Sequence, residues 1–454
     1  MSAAMVEYVQ LSKSKMAGAV GAAAFGSILE FYLLYVAGLA AGEVWPKIFF
    51  QSSSASLAFI LSIFAYMVTY FVRPVGALFF GHFGDRIGRK SQLIATILIV
   101  AVSSLIIGIM PGYAVIGVAA PVLLVLMRAI QGFGFGGEYG GASSLVAESV
   151  AHSKWRYLWT SFVQFPVSMA LGLGALSFFY VGTAFKGAAF LSIGWRIPFI
   201  VGAIVGAIGV YIRYKVVESP IFEQVKKSHK VEKAPVSVAF KKYWRRITVL
   251  SVAIIPIAFA PLLTVPFGIQ YLAALHMSPA NTSYAYAIAA FIPVPVMILS
   301  GAVASRIDRK KVFFLFSSAA GAIVGGLIFR ILGAHPDIES VILGVGLLGA
   351  VLGWEWGLVP AVLPEAFDVG VRYTSAGFVL QFSQTIPAVI AALTQAYFIT
   401  AYNGVIGAAP YIALTYAVVC AASFAASLMM KETHGLNELA SSSNPADLGT
   451  ASVE

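Results

Sequence analysis

Five ionisable residues interrupt long apolar stretches of this 454-residue chain: Glu30, Arg73, Arg128, Glu138 and Glu355. A charge at the centre of a bilayer costs about 2.5–3.5 kcal/mol on insertion scales, so such residues point to function. A guanidinium stays charged at any relevant pH and presents several donors, which suits a carboxylate-bearing or zwitterionic solute. A carboxyl group partly withdrawn from water holds its proton closer to neutrality and can exchange it there. A helix rises 1.5 Å per residue. That spacing sets Glu30 and Arg128 in one upper-middle layer and Arg73 and Glu138 in a lower one. The expected arrangement pairs Arg73 with Glu138 and turns Arg128 and Glu30 toward a central cavity. Glu30 is the leading proton-carrying candidate and Glu138 the second. Arg128, with Gln131 on the same helix face, leads the substrate-binding candidates. Tyr32, Tyr35, Gln164, Gln270, Gln381 and Gln384 add the few polar groups that a small-metabolite site needs in an apolar cleft. Interhelical hydrogen bonding, worth about 0.6 kcal/mol each, is the plainer role for any one glutamine. Arg73 and Glu355 complete a buried charge network.

Such residues must be held by membrane-spanning elements. The chain is 59% hydrophobic and 11% charged, with a mean hydropathy of +0.88. Soluble domains carry about a quarter charged residues, so a soluble enzyme or a nucleic-acid-binding domain is excluded. Apolar segments fall at 16–41, 56–80, 92–111, 114–142, 157–183, 195–216, 246–272, 283–304, 312–333, 339–362, 373–399 and 409–430. Each is long enough to cross a hydrocarbon core of about 30 Å as a helix. The short alternating strands of a β-barrel are missing. The fold class is an all-α membrane protein with twelve transmembrane helices.

The basic residues sort by loop. The even-numbered gaps carry Arg86, Arg89, Lys90, Lys154, Arg156, Arg213, Lys215, Lys226, Lys227, Lys230, Lys233, Lys241, Lys242, Arg245, Arg246, Arg306, Arg309, Lys310, Lys311 and Arg372; the odd gaps carry Lys47 and Lys186. This asymmetry predicts that the even loops and both termini are cytoplasmic in a cell (plasma or inner) membrane. It also accounts for the net charge of +10 without a nucleic-acid partner. The first fifteen residues show no cleavage site, so no removable signal peptide is expected. The boundaries read as an N-terminal six-helix bundle over 1–216, a cytoplasmic linker over 217–243, a C-terminal six-helix bundle over 244–430 and a flexible tail over 431–454.

The halves repeat. The stretch Gly81 to Lys90 after the second helix matches Gly301 to Lys310 after the eighth, at an offset of 220. Glu138-Tyr139-Gly140 and Glu355-Trp356-Gly357 lie 217 apart, as do Glu148 and Glu365. Arg156-Tyr157 matches Arg372-Tyr373, and Gln164-Phe165 matches Gln381-Phe382. Ordered pairs at nearly one offset mean two homologous bundles. An even number of helices per half makes them parallel repeats about an axis along the membrane normal.

These residues resemble the major facilitator superfamily, whose signature between helices 2 and 3 is similar to Gly81–Lys90 here. The branch resembled is that of the metabolite:proton symporters, which includes carriers of proline and betaine, dicarboxylates, citrate and shikimate. The finer likeness rests on Arg73-Pro74-Val75-Gly76, Arg128-Ala129-Ile130-Gln131-Gly132, Gly136-Gly137-Glu138-Tyr139-Gly140-Gly141, Gly194-Trp195-Arg196-Ile197-Pro198 and Glu218-Ser219-Pro220. The branch usually has Glu-Trp-Tyr-Asp-Phe in helix 1. Glu30-Phe31-Tyr32-Leu33-Leu34 here lacks the aspartate. The resemblance implies two six-helix bundles working by alternating access. It also implies that Gly81, Asp85, Arg86, Gly88 and Arg89 tie the cytoplasmic ends of helices 2, 4, 5 and 11 together in the outward-facing state. Glu148, Arg156, Glu365 and Arg372 suit the role of ionic partners that form in one state and break in the other. Ser305 stands where the first half has Asp85, so the latch is expected to be asymmetric.

Other signals point away from rival classes. Gly132-Phe133-Gly134-Phe135-Gly136-Gly137 spells a dinucleotide fingerprint, but it lies in a membrane helix rather than after a strand. There its small residues let helices approach closely. Cys420 is the single cysteine, no Cys/His cluster suggests a metal, and no cofactor is expected. No paired catalytic residues support a membrane enzyme. The reading is a secondary active transporter of a small organic acid or zwitterion, with protons and the lipid bilayer as its other partners, monomeric, and first a proton symporter. Leu33 in place of the aspartate keeps a proton-independent uniporter or exchanger open. A transporter-like sensor has only a short tail as an output module.

Overall fold

The computed structural model describes residues 13–51, 54–214 and 232–434. Among them twelve helical spans are long and apolar enough to cross a membrane. They are α1 (Met16–Glu43), α2 (Ala55–Ile87), α3 (Arg89–Ile109), α4 (Ala119–Ser149), α5 (Arg156–Ala184), α6 (Gly194–Tyr214), α7 (Pro235–Ala274), α8 (Pro279–Ile307), α9 (Lys311–Ala334), α10 (Ile338–Glu365), α11 (Val369–Ala401) and α12 (Val405–Met429). Most of the stretch 217–243, the string Glu218-Ser219-Pro220 and most of the tail lie outside the described residues.

Some boundaries differ from the sequence reading. Gly81–Ile87 is helical rather than loop; α2 ends only at Gly88, whose φ of 129° suits glycine alone. α7 begins at Pro235, inside the stretch read as linker. It is not one regular helix: Pro256, Pro261 and Pro266 break it into segments with a π-helical turn over Leu263–Phe267. Proline removes a backbone donor and clashes with the preceding turn, which accounts for the breaks.

Small residues set the closest packing. A Cβ on Gly132 would meet the Thr69 carbonyl, one on Gly136 the Arg73 carbonyl, and one on Gly76 the Phe133 carbonyl. The fingerprint-like glycines are therefore the seam between α2 and α4, as expected of small residues in membrane helices.

The bundles also touch one another. At the end that carries the basic loops, α2 and α4 meet α11, while α5 meets α8 and α10. Toward the far end, Gly38 and Gly42 of α1 abut Val265 and Ile269 of α7, and Phe179 of α5 packs on Tyr284 of α8 with ring centroids 5.5 Å apart. Between these contacts lies a cavity walled by α1, α5, α7, α8 and α10.

Candidate functional site

The membrane-embedded charges are arranged as follows. Arg73 of α2 is fully buried, and its guanidinium lies 3.7 Å from the Glu30 carboxylate of α1. It donates a hydrogen bond to Gln384 Oε1 of α11 and sits 4.9 Å from the ring centroids of both Tyr70 and Phe135. Its Nε and Nη2 have no hydrogen-bond partner. Glu138 pairs instead with Arg213 of α6, which donates through Nη1 (2.8 Å) and Nη2, and accepts from Thr96 Oγ1 at 3.1 Å. The expected Arg73–Glu138 pair is thus replaced by two others. Arg213, read as a loop charge, is 4% exposed in the last turn of α6 and takes the carboxylate.

Glu30, expected to face the central cavity, is not among its lining residues and borders a small pocket between α1, α3 and α4, and Arg128 is likewise not turned to the cavity. It donates to Gln131 Oε1 and the Tyr66 carbonyl, beneath the faces of Trp45 and Tyr66. Gln131 passes the chain on to Ser104 at 2.6 Å. Tyr32 donates to the Pro198 carbonyl of α6 at 3.2 Å. These three polar groups are engaged inside the N-terminal bundle. Gln270, half-buried near the far end of α7, is not among the cavity-lining residues.

Other candidates converge on the bundle interface. Gln381 of α11 donates to the Phe135 carbonyl across the bundles at 3.3 Å, and its Oε1 is unpartnered. Gln384, bound to Arg73 by its oxygen, keeps an unpartnered Nε2. Gln164 is fully buried with both amide atoms unpartnered. It lies on the helix face of Val167, Ser168 and Leu171, which line the cavity. Tyr35 lines the cavity too and lies within electrostatic reach of Tyr70 and Arg73. The rest of the wall is largely apolar, with Ser168, Thr264 and Trp356 among its few polar side chains. A buried polar atom without a partner costs about 1–3 kcal/mol. Several at one interface are what a site awaiting a polar ligand looks like.

The basic end is latched twice. In the first latch the Asp85 carboxylate accepts the backbone N–H of Tyr373 (3.2 Å) and Thr374 (2.9 Å) and the Thr374 hydroxyl (2.7 Å), capping the start of α11. Glu148 bonds Arg89 of its own bundle and Arg372 of the other, the latter at 2.6 Å. A Cβ on Gly81 would meet the Thr374 backbone and one on Gly84 the Tyr373 ring, so these glycines permit the contact. Arg86 stands outside it, exposed beside His82.

The second latch repeats the first with the bundles exchanged. Ser305 accepts the Leu158 N–H at the start of α5 at 3.3 Å. Arg156 lies 3.7 Å from Glu365 and 3.3 Å from Asp308, and Lys310 lies 3.3 Å from Glu365. Tyr157 donates to Asp308 at 2.6 Å. The segment after α12 braces this latch: Thr433 donates to Glu365 (2.8 Å), His434 lies 2.9 Å from Asp308, and Glu432 accepts the amides of Lys310 and Lys311. Burial pushes the Asp308 carboxyl up. Hydrogen bonds from Tyr157 and His434, with the charges of Lys310 and Arg156, outweigh it and hold the group below its ordinary range. Sequence reasoning missed Asp308, Lys310, Tyr157 and Thr374. The repeat of Gly81–Lys90 at Gly301–Lys310 contained the signal for the first two.

Residues 19–245, half of the chain, match the family described as "Sugar (and other) transporter". The inner membrane metabolite transport protein YhjE of Escherichia coli (strain K12) is 33% identical over 398 residues, covering 85% of this chain and 89% of that protein. A putative metabolite transport protein of Haemophilus influenzae is 32% identical over 91% of this chain and 95% of its own. The proline/betaine transporter of Escherichia coli (strain K12) is 31% identical over 80% of this chain and 74% of its own. Among solved structures, the proton:xylose symporter XylE superposes with a TM-score of 0.72 at 17% identity, covering 94% of this chain and all of that one. At that identity the superposition speaks to the fold alone.

Proposed function

The chain belongs to the major facilitator superfamily, within its sugar (and other) transporter family, and from that premise we propose that it is a proton symporter for a small carboxylate-bearing or zwitterionic metabolite. It is a multi-pass membrane transporter rather than an enzyme. The observation that carries the finer reading is the Arg73–Glu30 pair held against Gln384 of the opposite bundle.

Among the described residues Arg73 has one anionic neighbour, Glu30, at a separation too long for a hydrogen bond. A proton on Glu30 removes that neighbour's charge and leaves a buried guanidinium without a counter-ion, a costly state. A substrate carboxylate restores the charge balance. Substrate and proton thus favour each other's binding, which is what symport requires. The unpartnered amides of Gln164, Gln381 and Gln384 supply donors and acceptors around it, and Tyr35 borders the cavity. Arg128, Gln131, Tyr32 and Gln270 join only if the helices of the N-terminal bundle or α7 rearrange. Binding between the bundles then biases the latches of Glu148 and Glu365, which open one face as the other closes. Both termini are cytoplasmic in this reading, the membrane is the bacterial inner membrane, and one chain suffices.

The carrier of proline and betaine among its relatives favours an amino-acid-like osmolyte or organic acid. The alternative of a uniporter or exchanger has its own observation: Leu33, fully buried, packs on Gly202 where the branch has an aspartate. Uptake of labelled proline, glycine betaine, dicarboxylates and xylose into proteoliposomes, with and without an imposed pH gradient, separates the two. Gradient-driven accumulation of a carboxylate-bearing compound is expected, lost in Glu30→Gln with exchange retained. Accumulation indifferent to the gradient sinks symport.

A further inference from the structure

Among the described residues Glu355 has no hydrogen-bond or ion-pair partner. It lies on α10, is fully buried, and both carboxyl oxygens lack a hydrogen bond. Among the described residues no cation pairs with it. The titratable groups that face it are Tyr416 and Cys420 of α12. Tyr416 leans toward the Pro256 carbonyl of α7 at 3.4 Å. On α9, Ser317 is spent on the Val351 carbonyl, one turn before Glu355, and on α8 Ser300 is spent on the Met297 carbonyl.

The internal repeat makes this orphan informative. Glu138, its mate 217 residues earlier, is clamped by Arg213. The position 217 after Arg213 is Met430, just past the end of α12. Lys431, the next residue, is exposed, so among the described residues the C-terminal bundle keeps the acid without a clamping cation. Two further features give the acid access. Leu352, Gly353 and Trp356 of the same helix line the central cavity, so Glu355 lies one side-chain layer from it. α10 also breaks directly after it: the regular helix ends at Trp356 and resumes at Val359. The break abuts Met297 and Ser300 of α8 through Gly357, where no side chain would fit.

We propose that Glu355 is a proton-binding site of the C-terminal bundle, loaded and unloaded from the central cavity as α10 flexes at Gly357–Leu358. The acid carries its proton while it faces the apolar interior, because an ionised carboxylate there has no counter-charge. When the lower part of α10 swings, cavity water reaches the carboxyl and accepts the proton. Rebinding from hydronium on the other side resets it. Glu138, unlike Glu355, is already engaged by Arg213. This rests on the proton-coupled reading above and assigns it a second carboxyl besides Glu30.

The test uses the full-length protein in lipid nanodiscs and needs no substrate. Infrared difference spectra are recorded while the pH is stepped through the neutral range, reading the C=O band of protonated carboxyls. The expected result is a titrating band that disappears in Glu355→Gln, shifts in Glu355→Asp and survives in Glu138→Gln and Glu30→Gln. A band unchanged in both Glu355 variants overturns the assignment, and so does a wild-type protein with no titrating carboxyl. If Glu355→Gln does not fold, the band shift in Glu355→Asp decides. In proteoliposomes, Glu355→Gln should lose gradient-driven accumulation and keep exchange; full accumulation would also overturn the proposal. The two readings fail differently. Wild-type uptake indifferent to pH, with the Glu355 band present, sinks symport alone.

Discussion

Arg213 shows how a residue's role depends on what it faces. It lies in the last turn of α6, where a terminal arginine ordinarily snorkels toward the surface. Here it is drawn inward by Glu138 and gives it two hydrogen bonds. Removing one partner of a buried pair leaves an uncompensated charge and costs about 3–5 kcal/mol. Arg213→Met should therefore lower the thermal unfolding temperature in detergent markedly, and the double variant Arg213→Met/Glu138→Met should regain most of the loss. A single variant as stable as wild type would deny the pair any role. Asp308 yields a pH prediction. Its folded-state carboxyl titrates below the ordinary value, so its contribution is complete above the unfolded value of about 3.9 and fades as pH falls through the lower folded one. In a His434→Gln background, which takes the neighbouring imidazole out of the comparison, Asp308→Asn should weaken the latch equally at pH 7 and pH 5, with the difference from that background shrinking only in stronger acid. A difference that collapses already at pH 5, read by thermal unfolding, would contradict this. Hydropathy shows that Glu138 is embedded. It does not show that Arg213 is its partner, because that depends on the rotation of α6 about its axis.

The elements are fitted to one another by small residues at crossings and by charges at ends. Gly81 and Gly84 lie where α2 crosses the start of α11, and the Asp85 carboxylate between α2 and α11 meets free N–H groups there. A larger side chain at this crossing has no rotamer to escape into. Overpacking of this kind costs about 1–3 kcal/mol, enough to shift the balance of closed and open states about 5- to 150-fold. Gly81→Val should leave the bundles folded yet hold the basic end open. Ser168→Cys in a Cys420→Ser background then reports on it, as the cavity-lining thiol should react with a membrane-impermeant maleimide from the basic side faster by that factor. Unchanged labelling would mean that the crossing is not the gate. The sequence shows the glycines and the aspartate. Their target, two backbone amides at the start of α11, is invisible to it, since every residue but proline has such a group and only the helix start leaves it free.

For the whole molecule, the two latches are mirror uses of one device. Arg372 reaches from the C-terminal bundle to Glu148, and Arg156 reaches from the N-terminal bundle to Glu365. The latches differ in their supports: Glu148 is also bound by Arg89, while Glu365 is bound by Lys310 and Thr433. A charge swap at the first latch, Glu148→Arg with Arg372→Glu, should not restore closure, because the new arginine faces Arg89. Maleimide labelling at position 168 should remain as fast in the swap as in Glu148→Arg alone. Recovery to the wild-type rate would show that Arg89 does not matter. Among the described residues the far end shows no such ionic device. There α1 meets α7 and α5 meets α8 through apolar groups. One end is therefore held by breakable charge pairs and the other by packing, which is an asymmetry suited to a two-state machine.

The sequence by itself determined the twelve spans, the two-fold repeat, the family and the embedded charges other than Arg213. Each depends on local composition or on spacing along the chain, and a hydrocarbon solvent reads both directly. Only the tertiary structure decided who pairs with whom. Glu30 went to Arg73, Glu138 to Arg213, Arg128 to Gln131, and Glu355 to nothing. Those outcomes turn on the rotation of each helix and on contacts between residues up to 311 positions apart. A rise of 1.5 Å per residue fixes a charge's depth in the membrane but not the direction in which it points.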